Sequence, residues 1–511
     1  MANSLSRLKS LRQPIDRTAI VLILALTLAI GGLIIKGDRA MARVRDFSWA
    51  GRQVGAEDTA FILTFSRPMD HSSVESNLKI DPPLRGKVSW AGRRMAYTLE
   101  TPAPYGETYQ VTLNGIRDRF TPAHDPHAGN SQFSGTFRTR ERAFVYLGVA
   151  GEEKGRLVLQ NLTRQEKRIL TPPNLAVMEF EPYPQGDRIL FSATDSAQNM
   201  QNVLDQQLYT VSTGIQIASP ASTPTELKQG VAPVAVPVKP AGTIDLILDN
   251  KDYQNLKFDL SPDGESIVVQ RANRKNQAEF GLWMLKTGAA PQQIKTEPGG
   301  DFLIAPDSRS LAMSQGQGMA ILPLATDAQR LDFLPRFGMI LSFSQDGSAA
   351  AMVNFNSTPG NPSRSLFYVT NQGTEKELLK TNGSILKAQF DRAKQTLYCL
   401  YTKLLPGDLY LEEPYIAAIH LETGKLTDLL RLPLQRDIQV SLAPDGLGIL
   451  FDQIVATNDQ NQSGSVQTQA GTTIASSQLW FLPVVQDDRG NPVQAQPQAL
   501  NIAGLRPRWL P

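Results

Sequence analysis

The sequence predicts an all-β protein that is preceded by one transmembrane helix. Three observations carry this expectation. An apolar run lies near the N-terminus, residues 44–140 alternate apolar and polar side chains, and a Pro-Asp-Gly phrase recurs in residues 141–511. We therefore expect a membrane anchor, a small β-sandwich and a repeat array, in that order along the chain.

The composition argues against several classes of function. The 511 residues hold 51 Lys and Arg against 49 Asp and Glu, a net charge of +2. This is too small for the basic field that sequence-independent nucleic-acid binding requires. The single cysteine, Cys399, excludes an intrachain disulfide and a cysteine-based zinc site, and four histidines leave little material for a histidine-rich metal centre. We expect no nucleic-acid partner, no metal and no cofactor.

The run from Thr18 to Ile35 is the expected anchor, within a membrane segment of residues 18–36. Its eighteen uncharged residues would span about 27 Å as a helix. Residues 1–17 carry four cations and form the predicted cytoplasmic tail. This predicts a single-pass membrane protein with its N-terminus in the cytoplasm and its β domains outside, in the periplasm or at the cell surface.

A cleaved signal peptide is the alternative interpretation of this N-terminal segment. Ala40-Met41-Ala42 is a small-x-small triplet that would place the cut after Ala42. The apolar run exceeds the usual length of a signal peptide, and Lys36 and Asp38 place charge before the cut. The retained anchor is therefore favoured.

Residues 44–140 predict a small sandwich, because short alternating runs are separated by Pro, Gly, Asn or Asp. Three segments, Phe65-Ser66-Arg67-Pro68-Met69-Asp70, Tyr105-Gly106-Glu107-Thr108-Tyr109 and Phe137-Arg138-Thr139, resemble the bacterial immunoglobulin-like domain of S-layer and other envelope proteins. The resemblance implies a spacer or adhesion module with no catalytic residues. An insertion holds His124 and His127, but its Pro126 prevents helical spacing and no fourth ligand is evident, so a solvated loop is favoured over a metal site.

Residues 141–511 repeat with a period that is typical of a β-propeller. The repeated phrase is Ser or Ala, Pro, Asp, Gly, then an apolar strand. Proline fixes φ and Asp-Gly tolerates the positive φ of a tight hairpin. Clear copies are Ser261-Pro262-Asp263-Gly264, Ala305-Pro306-Asp307-Ser308, Ser344-Gln345-Asp346-Gly347 and Ala443-Pro444-Asp445-Gly446.

This pattern resembles the TolB-type propeller, and the resemblance implies fold but little about function. Six blades are expected to begin near Phe180, Phe258, Ile304, Phe343, Phe390 and Leu442. Residues 142–172 supply a seventh blade without a first strand, and Arg508-Trp509-Leu510 form an unpaired strand that would complete it. Residues 217–241 and 460–477 are low-complexity insertions that we expect to be flexible.

Several single residues are candidates for chemistry, and the pattern around each favours a structural role. His420 and Cys399 lie in predicted strands, and Cys399 has no basic neighbour in sequence to activate it. The repeated aspartates are expected to cap their own turns rather than to bind calcium, and three tryptophans to pack between blades. These residues are Asp263, Asp307, Asp346 and Asp445, and Trp283, Trp480 and Trp509.

The expected function is non-catalytic binding of an envelope protein or a cell-wall polymer by the propeller. No HExxH, GxSxG, GxGxxG, CxxC or GxxxxGK[ST] pattern occurs, and we identify no catalytic, cofactor or metal residues and no partner-binding residues. Oligogalacturonate-type propeller lyases use several histidines, whereas residues 141–511 hold only His420. The alternative is a cell-wall or carbohydrate-processing enzyme with an unfamiliar site in the channel. Clustered carboxylates there would favour the enzyme, and an apolar surface patch would favour docking.

Overall fold

A computed structural model describes most of the chain. The described residues are 14–36, 42–120, 131–195, 205–215, 239–326, 330–356, 358, 362–407, 409–435, 437–456, 474–487 and 490–511. The insertion with His124 and His127 lies outside them, as do most of the two low-complexity segments.

The predicted transmembrane anchor is wrong. Helix α1 forms at Pro14–Lys36, but none of the helices in the described residues is long and apolar enough to cross a membrane. The uncharged run from Thr18 to Ile35 has eighteen residues, fewer than the roughly 20 apolar residues that a transmembrane helix commonly has. Arg17 and Lys36 prevent its extension. The single-pass localisation with a cytoplasmic N-terminus is wrong with it, and residues 1–13 of the predicted tail lie outside the described residues.

Residues 44–139 form two four-stranded sheets that enclose one apolar core. The sheet orders are β1-β3-β6-β5 and β2-β8-β7-β4. Phe61, Phe65, Tyr109 and Phe137 are fully buried between them. This segment is therefore a β-sandwich, and its immunoglobulin-like family remains a prediction. Its elements are β1 Val44–Phe47, β2 Gln53–Val54, β3 Ala60–Phe65, α2 His71–Asn77, β4 Leu78–Asp81, β5 Gly86–Ala91, β6 Arg94–Leu99, β7 Thr108–Ile116 and β8 Ser131–Thr139.

Seven further four-stranded sheets follow, which we number as blades 1 to 7. A short 3-10 helix, Gly151–Glu153, lies within blade 1. Blade 1 contains β9 Ala143–Gly148, β10 Leu157–Asn161 and β11 Glu166–Ile169. Blade 2 contains β12 Leu175–Pro182, β13 Arg188–Asp195, β14 Gln207–Ser212 and β15 Ile244–Leu248. Blade 3 contains β16 Tyr253–Leu260, β17 Ser266–Asn273, β18 Phe280–Lys286 and β19 Gln292–Ile294, and blade 4 contains β20 Phe302–Ile304, β21 Ser310–Gln315, β22 Gly318–Pro323 and β23 Asp332–Leu334.

The remaining strands complete blades 5 to 7 and return to blade 1. Blade 5 contains β24 Met339–Phe343, β25 Ala349–Asn356, β26 Ser363–Thr370 and β27 Glu375–Thr381, and blade 6 contains β28 Ile385–Phe390, β29 Thr396–Leu404, β30 Glu412–His420 and β31 Leu426–Arg431. Blade 7 contains β32 Val440–Leu442, β33 Gly448–Ala456, β34 Ile474–Pro483 and β37 Gln498–Ala499. The other strands are β35 Val485–Gln486, β36 Pro492–Val493 and β38 Gly504–Trp509, of which β38 belongs to blade 1. Strands β35 and β36 form a separate hairpin. Strand β34 begins inside residues 460–477, so the end of that segment is ordered strand and not the predicted loop.

The C-terminal strand closes the ring. Strand β38 pairs antiparallel with β9, with Gly504 opposite Gly148 and Trp509 opposite Phe144. The blade 1 sheet therefore has the order β11-β10-β9-β38. This confirms the predicted pairing between the last residues of the chain and the incomplete first blade. Closure in this way leaves no unpaired inner edge on β9.

Each blade has an inner strand, by which we mean the strand that contacts the corresponding strand of the next blade. These are β38, β12, β16, β20, β24, β28 and β32, for blades 1 to 7 in order. Strand contacts join β16, β20, β24 and β28 in series and join β32 to β38. Hydrogen bonds between side chain and backbone join blades 1 and 2, 2 and 3, 6 and 7, and 7 and 1. Every junction of the ring is thus made, and a seven-bladed propeller follows from the chain's own pairing.

Candidate functional site: the channel and the two faces of the propeller

The antiparallel order of the strands gives the propeller two distinct faces. Turns from the inner strand to the second strand, which carry the Pro-Asp-Gly phrase, lie on one face together with the turns from the third to the fourth strand. We call this the sandwich face, for the contacts given below. Connections between blades and between second and third strands lie on the other, which we call the open face. The inner strands surround the central channel.

A repeated hydrogen bond links neighbouring inner strands. The acceptor is the side chain of the next-to-last residue of one inner strand, and the donor is the backbone N–H of the last residue of the next. Leu260 donates to Glu181 at 3.3 Å, and Ile304 donates to Asp259 at 2.6 Å. Leu442 donates to Gln389 at 3.0 Å, and Trp509 donates to Ser441 at 3.1 Å. These four polar side chains therefore connect blades.

Two of the three remaining junctions lack this bond for chemical reasons that the sequence contains. Leu303 occupies the acceptor position of blade 4 and has no polar side-chain atom. At the junction of blades 1 and 2 the acceptor position holds Arg508, which can only donate, and the donor position holds Pro182, which has no N–H. The Ser342 hydroxyl of blade 5 is buried with no partner among the described residues. The sequence analysis missed this position, which lies two residues before the Ser or Ala of each Pro-Asp-Gly copy.

Burial and proximity perturb the channel carboxyl groups. Burial, reinforced by the Asp259 charge, raises the pKa of Glu181 to about 8. Burial also raises the pKa of Asp259 to about 7, against the hydrogen bond from the Ile304 amide. Perturbed acids in a channel are candidates for catalysis, but structural networks produce the same shifts. Here each carboxyl group accepts a backbone N–H of the next blade, which accounts for its position without a substrate.

The channel also carries cations. Lys387 lies on β28 and Arg508 on β38. Burial, with the Arg508 charge second, holds the pKa of Lys387 well below its usual value. Asp452 faces them, but its two oxygens accept the backbone N–H groups of Gln439 at 2.7 Å and Arg506 at 2.8 Å. Among the described residues, Lys387 makes neither a hydrogen bond nor an ion pair.

The four predicted turn aspartates each accept a backbone hydrogen bond from two residues further along. Asp263 accepts the N–H of Glu265 at 3.0 Å, and Asp307 accepts that of Arg309 at 2.9 Å. Asp346 accepts the N–H of Ser348 at 3.1 Å, and Asp445 accepts that of Leu447 at 3.2 Å. Gly264 in the first of these turns has φ +73°, and Ser308 adopts φ 55° at the equivalent position. The predicted capping role is confirmed.

Among the residues that the structure describes, Asp445 is the one of these four that also binds the sandwich. Its Oδ2 accepts the backbone N–H of Tyr105 in the sandwich at 3.0 Å, and it accepts the guanidinium of Arg142, which directly precedes β9, at 2.6 Å. A second contact joins Glu57 of the sandwich to Arg140 and, at 4.0 Å, to Arg392 in the inner turn of blade 6. Arg140 also donates to the Pro184 carbonyl of blade 2 at 3.3 Å. The sandwich therefore covers inner turns of the sandwich face.

The open face carries exposed apolar side chains on three adjacent blades. Four of them lie in the connections after β29 and β31, where a loop is expected to be polar, and Phe355 and Leu386 lie at the open-face ends of strands β25 and β28. Leu409 is 73% exposed and Tyr410 is 60% exposed. We call this set the docking arc: Phe355, Leu386, Leu409, Tyr410, Leu411 and Leu434. The sequence signal for it was the apolar run Leu409-Tyr410-Leu411 in a segment between two strands, which the sequence analysis did not single out.

A polar cleft of about 390 Å³ opens between blades 2 and 3 on the same face. Its charged groups already bind each other. Arg274 pairs with Asp205 and donates to the Asn250 carbonyl at 2.7 Å. The Asn250 amide in turn donates to the Asp205 carbonyl at 2.7 Å. The cleft is thus a paired network between blades.

The other predicted residues have structural surroundings. Cys399 is buried, and burial raises the pKa of its thiol to about 12. His420 accepts the Thr423 backbone N–H at 3.2 Å within its turn. Trp509 packs in the apolar cluster between blades 7 and 1, as predicted, and Trp480 against the one between blades 6 and 7. Trp283 instead packs against Tyr253 of its own blade. Within the described ranges no group of three His, Cys, Asp or Glu side chains is placed to hold a metal.

Comparisons with known proteins give only distant structural similarity. No family model and no curated protein sequence matches the chain. TolB from Acinetobacter baumannii is similar with 10% identity and a TM-score of 0.37, over 85% of this chain and 83% of that chain. An oligogalacturonate lyase from Vibrio parahaemolyticus has 10% identity and a TM-score of 0.42, over 69% and 92%. A protein from Bacteroides uniformis assigned as a 6-phosphogluconolactonase has 10% identity and a TM-score of 0.42, over 73% and 100%. At such scores the similarity does not bear on function.

Proposed function

We propose that this chain is a non-catalytic binding protein that docks a protein partner on the open face of its propeller. The docking arc is the observation that carries the proposal. Exposed apolar patches on soluble proteins commonly mark interaction sites, and here six such side chains lie in loops or at strand ends on the open face of three adjacent blades. The sandwich face is partly covered by the chain itself, which leaves the open face available.

The enzyme alternative rests on the carboxyl groups of Glu181 and Asp259, whose pKa values burial raises. A general acid needs such a shift. Both groups, however, accept backbone N–H groups from the next blade. Their equivalents Gln389 and Ser441 make the same bond with side chains that do not titrate near neutral pH. Because titrating and non-titrating side chains make the same bond between blades, we infer that Glu181 and Asp259 have a structural role. This favours the binding function over the enzyme alternative.

Site-specific photocrosslinking tests the docking function. A photoreactive side chain is placed at Tyr410 or Leu434 on the docking arc, or at Leu246 on the outer strand of blade 2. Leu246 and Leu434 are similarly exposed, at 54% and 53%. Crosslinking in the source cells should give a discrete adduct from the arc positions and much less from Leu246. Equal yields from all three positions would contradict the proposed docking face.

A further inference from the structure

The charged residues that flank the docking arc are balanced in number. Four basic and four acidic residues of the described chain lie beside the arc, on blades 5 and 6 and in the connection to blade 7. They are Arg364, Lys380, Lys403 and Arg431, and Glu412, Glu413, Asp428 and Asp437. These residues therefore give the border of the arc no net charge.

Most of these charged groups are already engaged within the chain. Lys403 pairs with Asp428 at 3.0 Å, and Arg431 pairs with Glu413 at 3.6 Å. The Arg364 guanidinium donates to a backbone carbonyl at 2.5 Å. A partner of the arc therefore does not need to supply counter-charges.

The hydroxyl of Tyr410, within the arc, is also satisfied inside the chain. It donates to the Glu412 carboxylate, which accepts the Thr402 hydroxyl at 2.6 Å as well. Tyr410 is nevertheless 60% exposed, so its ring is the part that is available to a partner. Tyrosine is enriched and charged residues are depleted in the cores of protein interfaces. The arc has this composition.

The order of the apolar side chains along the arc suits a two-fold axis. Phe355 lies on blade 5, Leu409 and Leu411 lie on blade 6, and Leu434 lies in the connection from blade 6 to blade 7. An axis through the Leu409–Leu411 loop, in the plane of the open face, would place Phe355 of one copy against Leu434 of the other. The same apolar patch would then be buried on both copies, as in an isologous dimer.

The exposed area of the arc is sufficient for such a dimer. Its six side chains are 42% to 73% exposed, and half of a large side chain is roughly 100 Å². The arc therefore supplies roughly 600 Å² per copy and about 1,200 Å² for two copies, which reaches the lower end of stable protein interfaces.

We propose, on the basis of the docking function proposed above, that the partner on the docking arc is a second copy of this chain, bound about a two-fold axis through the Leu409–Leu411 loop. A highly charged partner would bury charges against an apolar surface and leave them unpaired, which is unfavourable. A second copy brings a surface that is equally apolar and equally neutral.

Sedimentation equilibrium of the full chain tests the proposal and should show a reversible dimer. Leu409→Ser/Tyr410→Ser should raise the dissociation constant about a hundredfold or more, because each anchor side chain lost from the centre of an interface commonly costs about tenfold or more. Leu246→Ser is the matched control, since it removes a leucine that is 54% exposed on the outer strand of blade 2. It should leave the dissociation constant unchanged. Thermal unfolding of each variant confirms that it is folded.

Disulfide trapping tests the two-fold arrangement. Cys399 is the single cysteine of the chain and is buried, so an introduced surface cysteine is the reactive thiol of the folded protein. Phe355→Cys mixed with Leu434→Cys should form a disulfide between copies faster than either variant alone. If either variant alone cross-links as fast as the mixture, the two-fold arrangement is overturned.

The outcomes keep the two proposals apart. A dimer that persists unchanged in Leu409→Ser/Tyr410→Ser forms through another surface, such as α1, and overturns self-association on the arc. A monomeric chain whose photoreactive group at Tyr410 captures a different protein overturns the second copy and leaves the docking function standing. A monomeric chain that gives no arc-specific adduct overturns both proposals. If the second copy is the partner, the adduct from Tyr410 has twice the mass of the chain.

Discussion

The Asp445 carboxylate accepts a hydrogen bond from the Arg142 guanidinium at 2.6 Å, and this contact links blade 7 to the segment between the sandwich and β9. The Asp445 side chain is 2% exposed and that of Arg142 is 27% exposed. The same oxygen accepts the Tyr105 backbone N–H. Asp445 thus caps its own turn, as the aspartates of the other Pro-Asp-Gly copies do, and it also orients the sandwich on the propeller.

Replacing Asp445 should loosen the sandwich. In Asp445→Ala the Tyr105 amide and the Arg142 guanidinium lose a buried acceptor, and each unmade buried hydrogen bond costs about 1–3 kcal/mol. The Tyr105 amide should then exchange with deuterium much faster, and the protein should unfold at lower temperature. Hydrogen exchange with mass spectrometry measures the first effect and calorimetry the second.

Asp307→Ala is the matched control for that experiment. Asp307 caps the equivalent turn of blade 4, with its acceptors used by Arg309 and Ser310. This variant should lose the turn cap and leave exchange at Tyr105 unchanged. Equal protection of Tyr105 in both variants would show that Asp445 does not hold the sandwich.

The channel carboxyl groups should make the propeller less stable at alkaline pH. The pKa values of Glu181 and Asp259 are raised in the folded protein to about 8 and about 7, because burial disfavours their charged forms. A raised folded pKa means that the folded state holds the proton more tightly than the unfolded state does. The resulting stabilisation is complete below about pH 4 and is lost as pH rises through 7 to 8.

The double variant Glu181→Gln/Asp259→Asn should remove much of this pH dependence. Each amide keeps an acceptor oxygen for the Leu260 or Ile304 N–H and cannot ionise. Thermal unfolding should show the variant more stable than the native chain at pH 8, with a smaller difference at pH 5. Glu422→Gln, an exposed turn residue, should leave the native pH profile intact. If the unfolding temperatures of the native chain and of the double variant fall in parallel as pH rises, burial of Glu181 and Asp259 is contradicted.

Cys399 should be unreactive until the propeller unfolds. Burial raises the pKa of its thiol to about 12, so thiolate is scarce near neutral pH. A chromogenic disulfide reagent at pH 8 should modify the native protein very slowly and the denatured chain at once. Rapid modification of the native protein would mean that blade 6 opens readily.

Much of the propeller was predictable because its hairpins use local chemistry. The Asp263 and Asp307 turns follow from residue type and spacing alone, and the unpaired strand at Trp509 predicted the closure. The bonds between blades were not predicted, since Glu181 and Asp259 meet partners far away in sequence. The docking arc was missed for the same reason, because only the fold brings Phe355, Leu409 and Leu434 to one face. The prediction of a transmembrane anchor was wrong because it relied on the hydropathy of the run from Thr18 to Ile35 more than on the length of that run.

Ring closure by β38 leads to the last prediction. Trp509 is 7% exposed and lies edge-on to Phe144, with ring centroids 5.5 Å apart, and to Phe481 at 6.2 Å. Truncating a buried tryptophan to alanine typically costs about 3–5 kcal/mol. That is a large share of the roughly 5–15 kcal/mol that stabilises a domain. Trp509→Ala, and truncation after Gly504, should therefore lower the unfolding temperature sharply or cause aggregation, since β9 then presents an unpaired edge. Leu434→Ala, on the open face, should unfold like the native chain. If calorimetry finds the truncated protein as stable as the full chain, β38 does not close the ring in solution.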